Sequence, residues 1–375
     1  IIYSFPLNWK KRVGIKMRNS GKEWDLLNKL DREENLTQEE IVILLGCRDR
    51  KVEEQLFYLA DEKRKKYVGE EVHLRGLVEF SNFCRRNCLY CGLRRDNRKL
   101  KRYRMSLEEL YNLAEKIALQ GLKTIVLQSG EDLAYDAKSL ASLIHRIKKL
   151  DVAVALSIGE REPWEYALWR DAGADRYLLK QETFDRELFA KLHPDDDFDQ
   201  RLECQRTLKE LGYEVGSGNV VGLPYQTLQS LALDIKKFQE WDFDMIGIGP
   251  FIPNPDTPLG EEVSNPEGKY LLTLKVLALT RVLTKTSNLP ATTALGTLIP
   301  GGREKALSCG ANVFMPNLTP SFYQSRYIIY PGKGIEESWE NYLLEVKKMI
   351  ERKGRVVSTG YGNRVSSGSG EAGRR

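Results

Sequence analysis

Histidine, methionine and cysteine are scarce in this 375-residue chain, at three, five and six copies, and long apolar runs are missing altogether. The longest apolar clusters are pieces such as IVILL at 41–45, far short of the roughly 20 residues that cross a bilayer. No membrane partner is expected. Basic residues exceed acidic ones only by 58 to 53, a net charge of +5, and no long basic tract tracks a phosphate backbone, so nucleic acid is not expected either. The N-terminus lacks the basic, apolar and small-residue series of a secretory signal, which points to a reducing cytoplasm. Residues 1–20, with Met17 as a candidate native start, and 356–375, ending VSSGSGEAGRR, show no periodicity and are expected to be flexible.

Between these ends the periodicity changes once and then alternates. Apolar residues recur at helical spacing from Trp24 to Tyr67, with Thr37 and Glu40 forming a capping-box pattern ahead of IVILL, so residues 21–70 are expected to be a helical layer. VHLRGLVEF (72–80) then reads as a strand, and Ser106 suits a helix N-cap before LEEL. Further strand-like runs lie at 123–128, 152–157, 175–180, 213–221, 244–249, 289–294 and 311–315, separated by amphipathic helical patterns. Eight β/α units predict an α/β fold, a complete (β/α)8 TIM-type barrel over 71–333, followed by a C-terminal helix within 334–355. An open doubly wound sheet is the alternative.

Against the general shortage of cysteine, FSNFCRRNCLYCGL (80–93) places three within eight positions. Cys84, Cys88 and Cys91 form C-x3-C-x2-C directly after the first strand. Structural zinc sites want four ligands and usually C-x2-C pairs, so the spacing fits zinc poorly. Three thiolates on one loop suit a 4Fe-4S cluster with one iron lacking a protein ligand. That vacancy points to S-adenosylmethionine (SAM), whose amino and carboxylate groups can chelate the open iron, so that one electron releases a 5′-deoxyadenosyl radical. Tyr90, just before the third cysteine, can lie against an adenine ring. Cys47, Cys204 and Cys309 are isolated and read as small buried apolar residues, and the histidines show no ligand spacing.

The other strand ends are polar or glycine-rich. In QSGED (128–132) Ser129 and Gly130 permit close backbone approach, and Glu131 can accept the methionyl ammonium. Ser157 ends the third strand, and KQET offers Lys180 to a carboxylate and Glu182 to a ribose hydroxyl or ammonium. Arg201, on the following helix, is a candidate partner for the SAM carboxylate, with a solvated charge as the alternative. GSGNVVG (216–222) departs from the dinucleotide fingerprint because its third glycine comes one position late; close adenosine packing explains these glycines better. GPFIPNPDTP (249–258) either walls the cavity or is a structured connection. Thr292 and Thr293 can turn hydroxyls toward a small polar or anionic substrate.

KYVGEEVHLRGLVEFSNFCRRNCLYCGLRRDNRKLKRYRM (66–105), TIVLQSGED (124–132), DFDMIGIGPFIPNPDTPL (242–259), PATTALGT (290–297) and IPGGRE (299–304) closely resemble the HydE-type maturases of FeFe-hydrogenase. These are radical-SAM enzymes related to biotin synthase and methylornithine synthase. The resemblance spans roughly residues 22–333. It implies a cluster on Cys84, Cys88 and Cys91, SAM contacts from Tyr90, Ser129, Gly130, Glu131, Glu182 and Arg201, with Gln128, Ser157 and Met245 in the same cofactor set. Lys180, Thr292, Thr293 and Met315 would face substrate. The implied substrate is a small iron complex with carbon monoxide, cyanide and cysteine, supplied by a tyrosine-cleaving radical-SAM maturase. A GTPase scaffold maturase is the implied recipient partner, and a ferredoxin or flavodoxin the electron donor.

Three departures stand out. Lys180 and Ala155 occupy positions where the family carries arginine and threonine, and no cysteine follows Cys309, which argues against a second cluster near the C-terminus. A mutase of the methylornithine type or a biotin-synthase-like enzyme remains the alternative enzyme reading. A non-catalytic iron-sulfur scaffold is the alternative of another class, although such carriers usually ligate all four irons.

Overall fold

The structure, a computed structural model, describes residues 21–262, 265–335 and 338–365; the expectation of a flexible segment over 1–20, and of a flexible tail over its part at 366–375, lies outside them. Three helices open the described chain, Lys22–Glu33, Gln38–Gly46 and Arg50–Val68. The capping box expected from sequence is present: the Thr37 side chain accepts from the Glu40 amide while Glu40 accepts from the Thr37 amide. Arg50–Val68 packs on the helix Pro266–Thr284, and their buried charges are matched, Lys275 Nζ lying 2.7 Å from Glu53 Oε1.

Nine strands follow among the described residues: β1 (Glu71–Leu74), β2 (Gly76–Ser81), β3 (Thr124–Ser129), β4 (Ala153–Ser157), β5 (Arg176–Leu178), β6 (Glu214–Val221), β7 (Met245–Pro250), β8 (Val313–Phe314) and β9 (Val356–Val357). β2 to β7 form one parallel sheet in sequence order, and β8-β1-β9 a second. Each step from one strand to the next between β2 and β7 passes through at least one helix, which forces parallel pairing and covers the outer face. Their apolar residues are accordingly buried almost throughout, as at Ile125, Val126 and Leu127. Isolated parallel bridges pair Met245 with Asn288, Pro290 with Val313 and Leu77 with Asn317.

Three expectations need correction. The strand expected at 72–80 is two, interrupted at Arg75, whose amide is bonded to Phe314 O. The strand expected at 289–294 is reduced to the bridges at Asn288 and Pro290, because Thr292 caps a short helix, Thr293–Leu298. Residues 356–365 are not a loose tail. β9 pairs with β1, and the next residues cross the N-terminal ends of the parallel strands: Tyr361 O accepts from Thr124 Oγ1 and Arg176, Gly362 O from Arg75 and Asn288, and Arg364 N bonds Glu214. Buried arginines at the strand starts supply donors that outweigh the segment's polar composition.

Candidate active site

The three cysteines lie on the irregular segment after β2, which turns tightly: Cys91 N donates to Cys88 O and Arg94 N to Cys91 O. Arg102 ties the segment together by donating to the carbonyls of Asn82, Leu93 and Arg94. Gly130, at the end of β3, allows the approach of the two chains. A Cβ there would stand 2.2 Å from Phe83 O and 2.9 Å from Cys84 Cβ.

Cys84, Cys88 and Cys91 line a cavity of about 420 Å³ at the C-terminal ends of the strands, and so does every other site residue expected from sequence. Tyr90, Gln128, Ser129, Gly130, Glu131, Ser157, Lys180, Glu182, Arg201, Met245, Thr292, Thr293 and Met315 all border it, although they come from eight separate stretches of chain. Ala155 does not. It is buried with Leu77 and Val126, behind Leu178 and Met315.

The cysteines are free thiols, and burial raises their pKa values, that of Cys91 to about 12. They also oppose one another's ionisation, Cys88 being raised by Cys91 and Cys84. Buried thiols in this condition are stabilised as thiolates by a cationic metal centre. The Glu131 amide already points at Cys84 Sγ, 3.4 Å away, the kind of N–H to sulfur contact that tunes iron-sulfur clusters. The donor set fits 4Fe-4S.

Around the cysteines runs a charge network that the sequence reading missed. Glu131 is held by Arg85 and by Arg86 Nε at 2.9 Å, while its Oε2 accepts from the Glu160 amide at 3.1 Å. Glu160 bridges Arg86, at 2.7 Å, to Arg201, at 2.8 Å, and Arg201 also pairs with Asp196. Burial pulls the Arg201 pKa down, but Asp196 and Glu160 more than offset it. Burial raises Glu160 against the pull of Arg201. Both Glu131 and Arg201 therefore reach the cavity with partners already in place.

Lys180 Nζ lies 2.8 Å from Glu182 Oε2, which makes no aligned hydrogen bond and remains buried. Glu182 holds a left-handed backbone, φ 68°, a strained state for a non-glycine residue at a strand end. Its amide and carbonyl are pinned to Gly218 O and Val220 N. Gly218 has no room for a side chain, since a Cβ would stand 2.1 Å from Gly247 O. Strand-to-strand packing thus accounts for this glycine without adenosine. Thr292 Oγ1 donates to Ile248 O at 3.1 Å.

His193 is the other residue that sequence did not single out. Its Nδ1 is 3.1 Å from Phe189 O, an acceptor, so Nδ1 carries the proton and Nε2 accepts from Tyr90 Oη at 2.8 Å. The rings meet edge to face. Burial lowers His193 to about pKa 3, keeping it neutral as Tyr90's acceptor.

The radical SAM superfamily pattern matches residues 78–238. The HydE subunit of the [FeFe] hydrogenase maturase of Thermotoga maritima is 54% identical over 341 residues, 91% of this chain and 97% of that protein. The crystal structure of methylornithine synthase (PylB) superposes with a TM-score of 0.75 at 25% identity, over 89% of this chain and 97% of that one. HydG, a maturase of the [FeFe]-hydrogenase, shares the fold with a TM-score of 0.73 at 19% identity, over 90% and 76%. A thiol triplet at the mouth of a parallel α/β sheet, carried by a chain that matches a curated maturase over nearly its whole length, makes this protein a radical SAM enzyme of the HydE family of [FeFe]-hydrogenase maturases.

Proposed function

We propose that the enzyme holds one 4Fe-4S cluster on Cys84, Cys88 and Cys91 and acts on a small iron complex carrying carbon monoxide, cyanide and cysteine. The observation that carries this reading is the convergence of the three thiols and all the polar strand ends on one cavity. When bound, the cluster supplies one electron to SAM at its open iron, releasing a 5′-deoxyadenosyl radical. The residues do the rest. Glu131 and Arg201, braced by Arg86, Glu160 and Asp196, face the methionyl end; Tyr90, fixed by His193, and Glu182 face the nucleoside. Lys180 offers a compact positive charge where the family's arginine would offer a fork, and Thr292, Thr293 and Met315 border the substrate space.

One cluster is favoured because the remaining cysteines are separately occupied: Cys47 Sγ accepts from the Asp49 amide, Cys204 Sγ from Gln200, and Cys309 is fully buried. The three isolated bridges support closure into the full (β/α)8 barrel, with the domain limits given above. A closed barrel excludes water, which a carbon radical chamber requires. The maturase reading places the enzyme in the cytoplasm between a HydG-type tyrosine-cleaving maturase and a GTPase scaffold. A methylornithine-type mutase is the second reading, favoured by the match to nearly the whole of PylB.

Anaerobic reconstitution followed by electron paramagnetic resonance tests the proposal. The reduced protein is expected to hold roughly four irons, to change its spectrum on adding SAM and to form 5′-deoxyadenosine, all of which Cys88→Ser should abolish. No response to SAM would overturn it. Formation of methylornithine, instead of attack on the iron complex, would establish the second reading.

A further inference from the structure

Glu182 follows β5 in a left-handed turn, and its backbone bonds to Gly218 and Val220 hold one side of that turn. A second hold comes from behind. Thr183 and Phe184, the next two residues, are bonded to Asp234 on the helix Leu228–Trp241. Phe184 N donates to Asp234 Oδ1 at 2.6 Å, and Thr183 Oγ1 donates to the same oxygen at 3.2 Å. The other oxygen, Oδ2, accepts from Asn219 Nδ2 at 2.9 Å. Asn219 is the residue of β6 that pairs with Glu182 across an isolated parallel bridge. One carboxyl thus ties the residues after Glu182 to the residue opposite it.

One turn earlier the same helix face makes a second contact. Ser230, four residues before Asp234 and therefore on the same face, donates from Oγ to Asp185 Oδ2 at 2.6 Å. Asp185 caps the helix Arg186–Leu192 by accepting from Leu188 N. That helix carries the Phe189 carbonyl and ends at His193, the two groups that fix Tyr90. Both side chains assigned to the nucleoside therefore hang from Leu228–Trp241, Glu182 through Asp234 and Tyr90 through Ser230.

Neither Asp234 nor Asn219 borders the cavity, and both are fully buried. The groups facing Asp234 are its three donors and the like-charged Asp185, with no cation among them, and burial pushes its pKa up to about 7. A carboxyl buried without a cation works against folding, and so does a non-glycine residue in a left-handed turn, which persists only where its surroundings over-determine the backbone. Asp234 is what over-determines it. We propose that Asp234 is a positioning residue for SAM, holding Glu182 in the turn that presents its carboxylate to the nucleoside. This rests on the reading of Glu182 as a nucleoside contact. The Asn219 amide is suited to either protonation state of Asp234. Its Nδ2 donates to the ionised carboxylate, and its Oδ1, which has no partner, accepts from a neutral carboxyl or an amide once the group turns over.

The test is a double-mutant cycle on the reconstituted holoenzyme, with SAM affinity read from the SAM-dependent change in the spectrum of the reduced cluster. Glu182→Ala and Asp234→Ala should each raise the dissociation constant about tenfold, and the double variant should bind no more weakly than Glu182→Ala alone. Asp234→Asn keeps the acceptor for Phe184 and Thr183 and donates to a turned Asn219, so it should bind SAM as the unaltered enzyme does. Iron content and the spectrum without SAM should be the same in every variant. In a crystal structure of Asp234→Ala, Glu182 should leave the left-handed region. Should Asp234→Ala fail to hold iron, Asn219→Ala removes one of the three bonds while leaving Phe184 N paired, and the same cycle applies with an expected change of about threefold. Additive losses, unchanged affinity in Asp234→Ala, or a Glu182 still left-handed there would overturn the proposal. Normal SAM binding by Glu182→Ala would instead overturn the nucleoside reading, and the Glu182 backbone in Asp234→Ala then decides by itself whether Asp234 holds the turn.

Discussion

At the scale of single residues, the site is a motif supported by residues distant in sequence. The thiol triplet and the polar strand ends were legible because their chemistry is local: spacing in one case, position after an apolar run in the other. The residues that brace them were not. His193 lies 103 positions from Tyr90, and in sequence it is a lone histidine before a proline. Glu160 and Asp196 look like ordinary surface carboxylates, yet the fold buries Glu160 between Arg86 and Arg201. The value of the Tyr90–His193 bond can be measured. His193→Phe keeps the buried aromatic volume but strands the Tyr90 hydroxyl, at a cost of about 1–2 kcal/mol. If Tyr90 must be fixed to receive SAM, the dissociation constant for SAM should rise about tenfold, read by calorimetry, with iron content unchanged. Unchanged affinity would remove Tyr90 from the binding set.

At the scale of elements, β3, β4, β6 and β7 fall within about two residues of their expected positions, because apolar runs between helical patterns are unambiguous in a parallel sheet. The seventh expected strand shrinks to bridges where Thr292 opens the helix Thr293–Leu298, and the eighth is limited to Val313–Phe314. Helix ends show the same limit. Glu34 sits in the run DREEN, where nothing marks it among its neighbours. In the structure it ends the first helix with a left-handed backbone, φ 50°, and gathers Tyr67 Oη at 2.6 Å, Lys63 Nζ at 2.9 Å and Lys285 Nζ at 2.9 Å. It thereby joins the N-terminal helices to the end of Pro266–Thr284. Burial alone would raise its pKa, but the bonds from Tyr67, Lys63 and Lys285 hold it at about 2. A carboxyl lowered in the folded state from about 4.3 in the unfolded chain stabilises fully above that value, and the contribution is lost as the pH falls toward 2. Glu34→Gln should cost about 2 kcal/mol at pH 7 and should flatten the acid limb of the stability profile between about pH 4.5 and 2, as urea unfolding at each pH will show. A parallel shift of the whole profile would mean that the charge is not what matters.

At the scale of the whole molecule, the two ends of the parallel strands are used differently. The C-terminal ends of the strands carry the chemistry, and the N-terminal ends are covered by residues 358–364. Composition hid this second feature, because a serine- and glycine-rich segment reads as loose unless its partners are known. Those partners are Thr124, Arg176, Arg75 and Asn288, each at or near a strand start. Gly362 fits only as glycine: its φ is +67°, and a Cβ would stand 2.9 Å from His73 Cγ. His73 is thus shut beneath the strap, where burial first and the charge of Arg75 second lower its pKa to about 4. A histidine held neutral in the fold but protonated near pH 6.5 when unfolded leaves stability intact above that value and erodes it as the pH falls toward 4. Ending the chain at Val357 should therefore have two linked effects. The pKa of His73 should return toward 6.5, visible by NMR because only three histidines contribute ring signals. The loss of stability between about pH 6.5 and 4 should shrink accordingly, even as stability at neutral pH falls through the lost bonds to Arg75, Arg176 and Asn288. If His73 titrates near 4 in the shortened chain as well, its burial comes from the parallel strands themselves, and the strap is a passive segment that does not seal their N-terminal ends.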